Sequence, residues 1–168
     1  IELLILTAQR LREIADLSWP EIDLEGDKLI TIPPERMKGK AAHEVPLASQ
    51  AFALIRELPR GLSGPFVFSF NGGRDHVAGF ARPKRRLDQL SGVKDWKLHD
   101  LRRTARSGFS ALAGFEDHVR EAAIDHHPSG IKRVYDLHKY RDEKRALLTT
   151  WEQRLLGILE NGREAKRA

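Results

Sequence analysis

The chain has 168 residues, of which 40% are hydrophobic and 32% charged, and a formal net charge of +5, enough for one buried core and one domain with a mild preference for an acidic partner. With no cysteine, disulfides, thiolate nucleophiles and thiolate zinc sites are all excluded, which fits a reducing cytoplasm. No apolar run approaches the length of a bilayer, and Ile1 to Leu6 lacks the basic flank and cleavage site of a signal peptide.

In chain order, Leu3, Leu4, Leu6, Leu11, Ile14 and Leu17 follow a helical spacing, so one helix is expected from Ile1 to Leu17, ended by Ser18 to Pro20. Because the chain opens inside that pattern on Ile rather than Met, it is expected to be part of a longer protein whose N-terminal region precedes it. Leu29 to Ile32 and His43 to Leu47 alternate as strands, with the basic segment Pro34 to Ala42 as the turn between them. Phe66 to Phe70 is expected as a third strand, turned by Asn71-Gly72-Gly73, completing a small antiparallel sheet. Helices are expected at Ser49 to Leu58, Val77 to Leu90, Asp100 to Leu112, Glu116 to Ile124 and Asp142 to Leu159. The last carries Leu148, Trp151, Leu155 and Leu159 on one stripe that must be buried against its own core or a neighbour's. The fold class is therefore α+β, mainly helical, with a small three-stranded antiparallel sheet.

Charge is concentrated between Arg74 and Arg106, where ten basic residues face four acids. Such a run is either a solvated face or a phosphate-binding surface. The His99-x-x-Arg102 pair shares one helix face, but the same spacing recurs at His138 and Arg141, so alone it identifies nothing. A zinc site built on His126, His127 and His138 lacks a suitably spaced carboxylate.

Four separated segments, taken in order, are more specific: Thr7-Ala8-Gln9-Arg10-Leu11-Arg12-Glu13 with Leu17 and Trp19, then Lys38 ahead of His43-Glu44-Val45-Pro46-Leu47, then Leu98 to Thr104, then His126 with Tyr135 nine residues on. This set resembles the catalytic domain of the tyrosine recombinase family, in its prophage-integrase branch, over essentially the whole chain, residues 1–168. Lys40 competes with Lys38, His127 is one residue off register from His126, and Tyr140 is the second of only two tyrosines. Ala8 stands where the family commonly has glycine, a change expected to tighten the first helix. Trp19 and Trp151 are expected in the core, the former behind the arginine helix.

The resemblance implies that Arg10, Lys38, His99, Arg102 and His126 surround a DNA phosphate and that Tyr135 attacks it, with Glu13 orienting an arginine. Each role has a chemical reason. Planar guanidinium donors suit the oxygens of a phosphodiester whose charge grows at the transition state. A phenol of pKa about 10 needs a base or a positive field, and the leaving 5′-oxygen needs a proton, for which Lys38 on a mobile hairpin is the natural donor. Lys40, Lys84, Arg85, Arg86 and Arg103 are further candidates for phosphate contacts. The resemblance implies no cofactor and no metal, double-stranded DNA as partner, self-association on DNA as a tetrameric synapse, accessory DNA-bending proteins, and a DNA-associated place in the bacterial cytoplasm. It also implies separate N-terminal DNA-binding domains outside this chain, and a final helix that docks partly on a neighbouring protomer. The alternatives are a type IB topoisomerase relaxing DNA with a similar residue set, and a catalytically silent DNA-binding module.

Overall fold

The computed structural model describes residues 1–60, 63–126 and 139–165. The opening apolar stripe forms two helices rather than one, α1 (Glu2–Thr7) and α2 (Leu11–Ala15). Between them Ala8 adopts a left-handed φ of 58°, its N–H donating to the Leu4 carbonyl at 2.9 Å. Periodicity is blind to such a break, because both helices still turn their apolar residues inward. Position 8 therefore does not tighten a helix but ends one, in a conformation that costs an L-residue about 1–2 kcal/mol and that glycine adopts freely.

Three strands follow, β1 (Ile22–Asp23), β2 (Leu29–Ile32) and β3 (His43–Pro46), paired antiparallel in the order β1-β2-β3. The register sets Ile22 opposite Ile30, and Ile30 opposite Val45. Asp23 builds the β1–β2 turn by accepting the Gly26 and Asp27 N–H groups at 2.8 and 2.7 Å, which holds its carboxyl below the usual range. Phe66 to Phe70, expected as the third strand, is not one. It makes a single bridge to Ser18, and its backbone is otherwise spent on its own loop, with Phe66 N–H donating to Gly73 O and Val77 N–H to Phe68 O. The two-residue β1 takes its place in the sheet, too short for alternation to reveal.

Among the described residues the remaining helices are α3 (Ser49–Arg56), α4 (Ala81–Ser91), α5 (Leu98–Ser110), α6 (Asp117–Ala123) and α7 (Arg141–Ala165). Gly92, at φ 71°, closes α4, and the Asp100 carboxylate caps α5 by accepting the Lys97 N–H at 2.8 Å. Ile30, Ile32, Ile55, Phe109, Leu147 and Leu148 form the fully buried centre, where α7 packs on α5, α6 and β3. Of the expected α7 stripe, Leu148 and Trp151 are buried and Leu155 packs at the margin, whereas Leu159 is 55% exposed. Trp19 is half-buried, with the Arg60 guanidinium 5.1 Å from its ring centroid. None of the described helices is long and apolar enough to cross a membrane.

Trp151 ties α7 to α1 and α5. Its indole N–H donates to Ile5 O at 2.8 Å, its ring meets Phe109 edge-on at 5.7 Å, and its six-membered edge lies on Gly108 of α5. A Cβ at position 108 would sit 2.2 Å from Trp151 Cζ3. Gly108→Ala is therefore expected to destabilise the fold by about 1–3 kcal/mol, the range for overpacking, despite alanine's better helix propensity. Urea unfolding checks this.

Candidate active site

The break at Ala8 gives the site its first cation. Arg10 stands at the N-cap of α2, and Glu13, one turn later, reaches back to it. One Glu13 oxygen accepts the Arg10 backbone N–H at 2.7 Å and the other the guanidinium Nη1 at 2.5 Å. The three-residue spacing is thus a helix cap and a salt bridge at once. From the end of α6, Asp125 adds a second carboxylate 3.2 Å from the same nitrogen, and its carbonyl accepts from Nη2 at 3.4 Å. Burial opposes the Arg10 charge, but the Glu13 and Asp125 carboxylates outweigh it and hold its pKa above the ordinary value.

Arg102 lies on the first turns of α5 and is 7% exposed. It donates from Nη1 to Ala8 O at 3.0 Å and from Nη2 to Ile124 O. It therefore ties the turn that bears Arg10 to the end of α6 that bears Asp125 and His126. Burial and the neighbouring Arg10 lower its pKa, against the pull of Glu13, Asp125 and Glu121, yet a guanidinium stays protonated. Two cations backed by two buried carboxylates are held in place before any ligand arrives.

His126 is an exposed residue just beyond Asp125, its Nδ1 bonded to Glu121 of α6. Glu121 also receives Arg106 Nε at 2.6 Å, which links α5 to α6. His99 is exposed on the first turn of α5, on the Arg102 side, with no hydrogen-bond partner among the described residues. Lys38 and Lys40 are both exposed in the β2–β3 loop, Lys40 at a left-handed φ of 53°. On α4, Arg85 and Arg86 are exposed, while Lys84 is held by Asp88 at 2.7 Å with its ammonium 4.4 Å from the Trp96 ring centroid. Arg103 is exposed and pairs with Asp100 at 3.2 Å. Tyr135 and His127 lie outside the described residues. Among the described residues no group of three His, Cys, Asp or Glu side chains is placed to hold a metal ion.

Three buried polar residues here have roles that the motif segments, which include Gln9 and Glu44, do not assign. Asp125 is one, although it directly precedes His126. Gln9 is the second: fully buried, it donates from Nε2 to Thr7 O at 2.6 Å and Ala123 O at 2.9 Å, and its Oε1 meets His43 Nε2 at 3.1 Å. Since that oxygen only accepts, His43 Nε2 carries the hydrogen. One amide thereby pins the α1–α2 turn to α6 and to β3. Glu44, the third, is a buried carboxylate on β3 that accepts from Arg141 Nε at 2.9 Å and from Lys139 Nζ at 2.5 Å, while its carbonyl takes the buried Lys144 Nζ.

Glu44 gives the fold a pH dependence. Burial acts to raise its pKa, but Arg141 and Lys139 outweigh burial and bring it to about 2, against an ordinary 4.5. Because the folded value is the lower one, the unfolded chain binds more protons between the two. The stabilisation is whole above pH 4.5 and is lost as pH falls through about 2. Burial lowers Lys144 to about 8, so its charged form costs stability at neutral pH, a cost relieved as pH climbs from 8 towards 10.5. Glu44→Gln is expected to flatten the acid limb of a urea-stability profile measured against pH; an unchanged limb would contradict the pairing.

Residues 1–140 match the phage integrase family. Over 162 residues the chain is 31% identical to prophage integrase IntZ of Escherichia coli K12, covering 95% of this chain and 39% of that protein. It is 25% identical over 151 residues to the integrase of Shigella phage Sf6, covering 86% of this chain and 38% of the relative. The chain therefore spans about two fifths of the length of these relatives. Its fold is similar to that of an integrase from mycobacterium phage Brujita, with a TM-score of 0.57 at 20% identity, covering 88% of this chain and 49% of the other. That likeness agrees with a mainly helical domain carrying a small antiparallel sheet. On the match over residues 1–140, the chain belongs to the phage integrase family.

Proposed function

We propose that this chain is the strand-cutting and rejoining centre of a site-specific DNA recombinase that integrates or excises a prophage or mobile element. The observation that carries the reading is the pair Arg10 and Arg102, locked together through Ala8, Ile124 and Asp125 and backed by Glu13. Such a pair has its donors in place for an oxyanion before charge develops, which is what makes electrostatic stabilisation effective. Tyr135 attacks the scissile phosphorus, and its phenolic proton passes to His99 or to water in the field of the arginines. The P–O bond to the 5′-oxygen breaks as Lys38 protonates that oxygen, while His126 holds a non-bridging oxygen and keeps the phosphate in line. The products are a 3′-phosphotyrosine and a free 5′-hydroxyl. Because the ester conserves the bond energy, a second strand's hydroxyl can reverse the step without ATP, and the chemistry of these residues calls for no metal ion.

The partner is double-stranded DNA, met largely through phosphates by the exposed Lys40, Arg85, Arg86 and Arg103. Lys84 is better placed as a strut for α4, being already paired with Asp88. On DNA in a bacterial cytoplasm the protein self-associates as a tetrameric synapse, with the exposed Leu156, Ile158 and Leu159 of α7 available to a neighbouring protomer, and accessory DNA-bending proteins are further partners. The named relatives are integrases, which favours recombination over topoisomerase-like relaxation.

The test is covalent trapping on nicked suicide duplexes. A denaturant-resistant adduct is expected that forms equally well in excess chelator, with binding that weakens steeply with salt. Arg85→Ala combined with Arg86→Ala should weaken binding uniformly across sequences and lower the salt slope by about one unit per lost phosphate contact. An adduct that requires a divalent ion would contradict the metal-independent mechanism.

A further inference from the structure

Lys38 leaves the body of the protein from a base that is tied down on both sides. Two residues before it, Arg36 spends its guanidinium on three acceptors. Nη1 is paired with Glu21, and Nη2 donates to Arg12 O at 3.1 Å and Glu13 O at 2.8 Å. Both carbonyls belong to α2, the helix whose N-cap is Arg10 and whose Glu13 side chain grips that arginine. One residue before Lys38, Met37 is buried in the core at 4% exposure and is hydrogen-bonded to both sides, its N–H donating to Pro34 O and its carbonyl accepting the Lys40 N–H, each at 3.1 Å. Lys38 itself is exposed. The β2–β3 loop is thus not a free hairpin with a cation at its tip. Its root is bolted to the helix that carries the first arginine, and only the lysine side chain and the turn beyond it project.

We propose that Arg36 is a positioning residue: through its bridge from the β2–β3 loop to α2 and Glu21, it sets Lys38 in register with the Arg10 centre, so that the ammonium meets the leaving 5′-oxygen. A guanidinium suits this task and a lysine does not, since three acceptors in different directions require several donors on one rigid plane. The inference rests on the reading of Lys38 as the proton donor, and the experiment separates the two.

The probe is a nicked suicide duplex chosen from a randomised pool by covalent trapping on the unsubstituted chain, prepared in two forms. One has the ordinary 5′-oxygen at the scissile phosphate and the other a bridging sulfur. A thiol has a pKa of about 8.5 and departs without a proton, so the sulfur form bypasses the general acid while leaving every other requirement in place. Arg36→Lys and Arg36→Gln are expected to cut the oxygen form roughly ten- to a hundredfold more slowly, a share of the 10²–10⁴-fold that general acid catalysis supplies. On the sulfur form both are expected to match the unsubstituted chain, as is Lys38→Ala. Hydrogen exchange at the Lys40 amide should quicken in both Arg36 variants while thermal unfolding confirms that they are folded. If either fails to fold, Glu21→Gln loosens the same tether and is expected to show the same rescue.

Sulfur that restores Lys38→Ala but not the Arg36 variants overturns the positioning role and leaves the proton donor standing. Sulfur that fails to restore Lys38→Ala overturns the proton-donor reading, and this inference with it. Oxygen cleavage at an undiminished rate in the Arg36 variants, or a pool from which the unsubstituted chain traps nothing, also overturns it.

Discussion

Tyr135→Phe is expected to reduce covalent capture of DNA to background while leaving salt-sensitive binding unchanged. The reaction proposed here forms one bond to the protein, from the phenolic oxygen to phosphorus, and phenylalanine removes that oxygen and nothing else. The second tyrosine is built for a different purpose. Tyr140 stands at a left-handed φ of 47°, its ring tilted against His118 at a centroid distance of 4.9 Å and packed on the core, and its carbonyl accepts the Lys144 N–H in the first turn of α7. Tyr140→Phe keeps that ring and that carbonyl, so adduct formation should persist near the level of the unsubstituted chain.

Arg102→Lys carries the second largest expected effect, a fall in cleavage of about 10²–10³-fold, the scale for losing one preorganised donor to a developing oxyanion. Its severity follows from what the guanidinium already holds. Nη1 and Nη2 are bonded to Ala8 O and Ile124 O, which leaves the other donors of the same plane for a phosphate. An ammonium has no rigid fork and cannot serve both carbonyls and a ligand in fixed directions. Two buried acceptors then compete for one donor group, and an unsatisfied one costs about 1–3 kcal/mol. Stability should fall along with rate, and the substrate Kd should rise less than cleavage slows, since the phosphate gathers charge only on the way to the transition state. Binding isotherms and single-turnover trapping on the same duplex separate these quantities. Loss of binding alone, with an unchanged rate of cleavage once bound, would make Arg102 a docking residue instead.

Motif spacing singles out Arg10, Glu13, Arg102 and His126 as candidates because the proposed chemistry constrains them by type and order, and the fold brings all four to the α1–α2 turn and the ends of α5 and α6. What joins them was hidden. Gln9 and Asp125 act through backbone carbonyls and a guanidinium over 114 and 115 residues of chain separation, and nothing in local composition marks such a partner. The break at Ala8 was hidden for a different reason, since a residue with a left-handed φ can leave an apolar stripe intact on either side. The sheet was legible in number but not in membership. Apolar alternation favours Phe66 to Phe70, yet beyond one bridge to Ser18 that segment closes its hydrogen bonds within a loop, while the two residues of β1 pair with β2. Lys38 lies one residue beyond an anchored base, not at the tip of a free hairpin. Its reach begins at Met37 and Arg36, which are held by the core and by α2.

Locating the protein–DNA bond tests the central claim most directly. After trapping on a suicide duplex, nuclease trimming and proteolysis, mass spectrometry of the modified peptide is expected to find a nucleotide esterified to Tyr135, through its 3′-phosphate, in every adduct. A nucleotide on Tyr140, on any serine or histidine, or attached through a 5′-phosphate would contradict it.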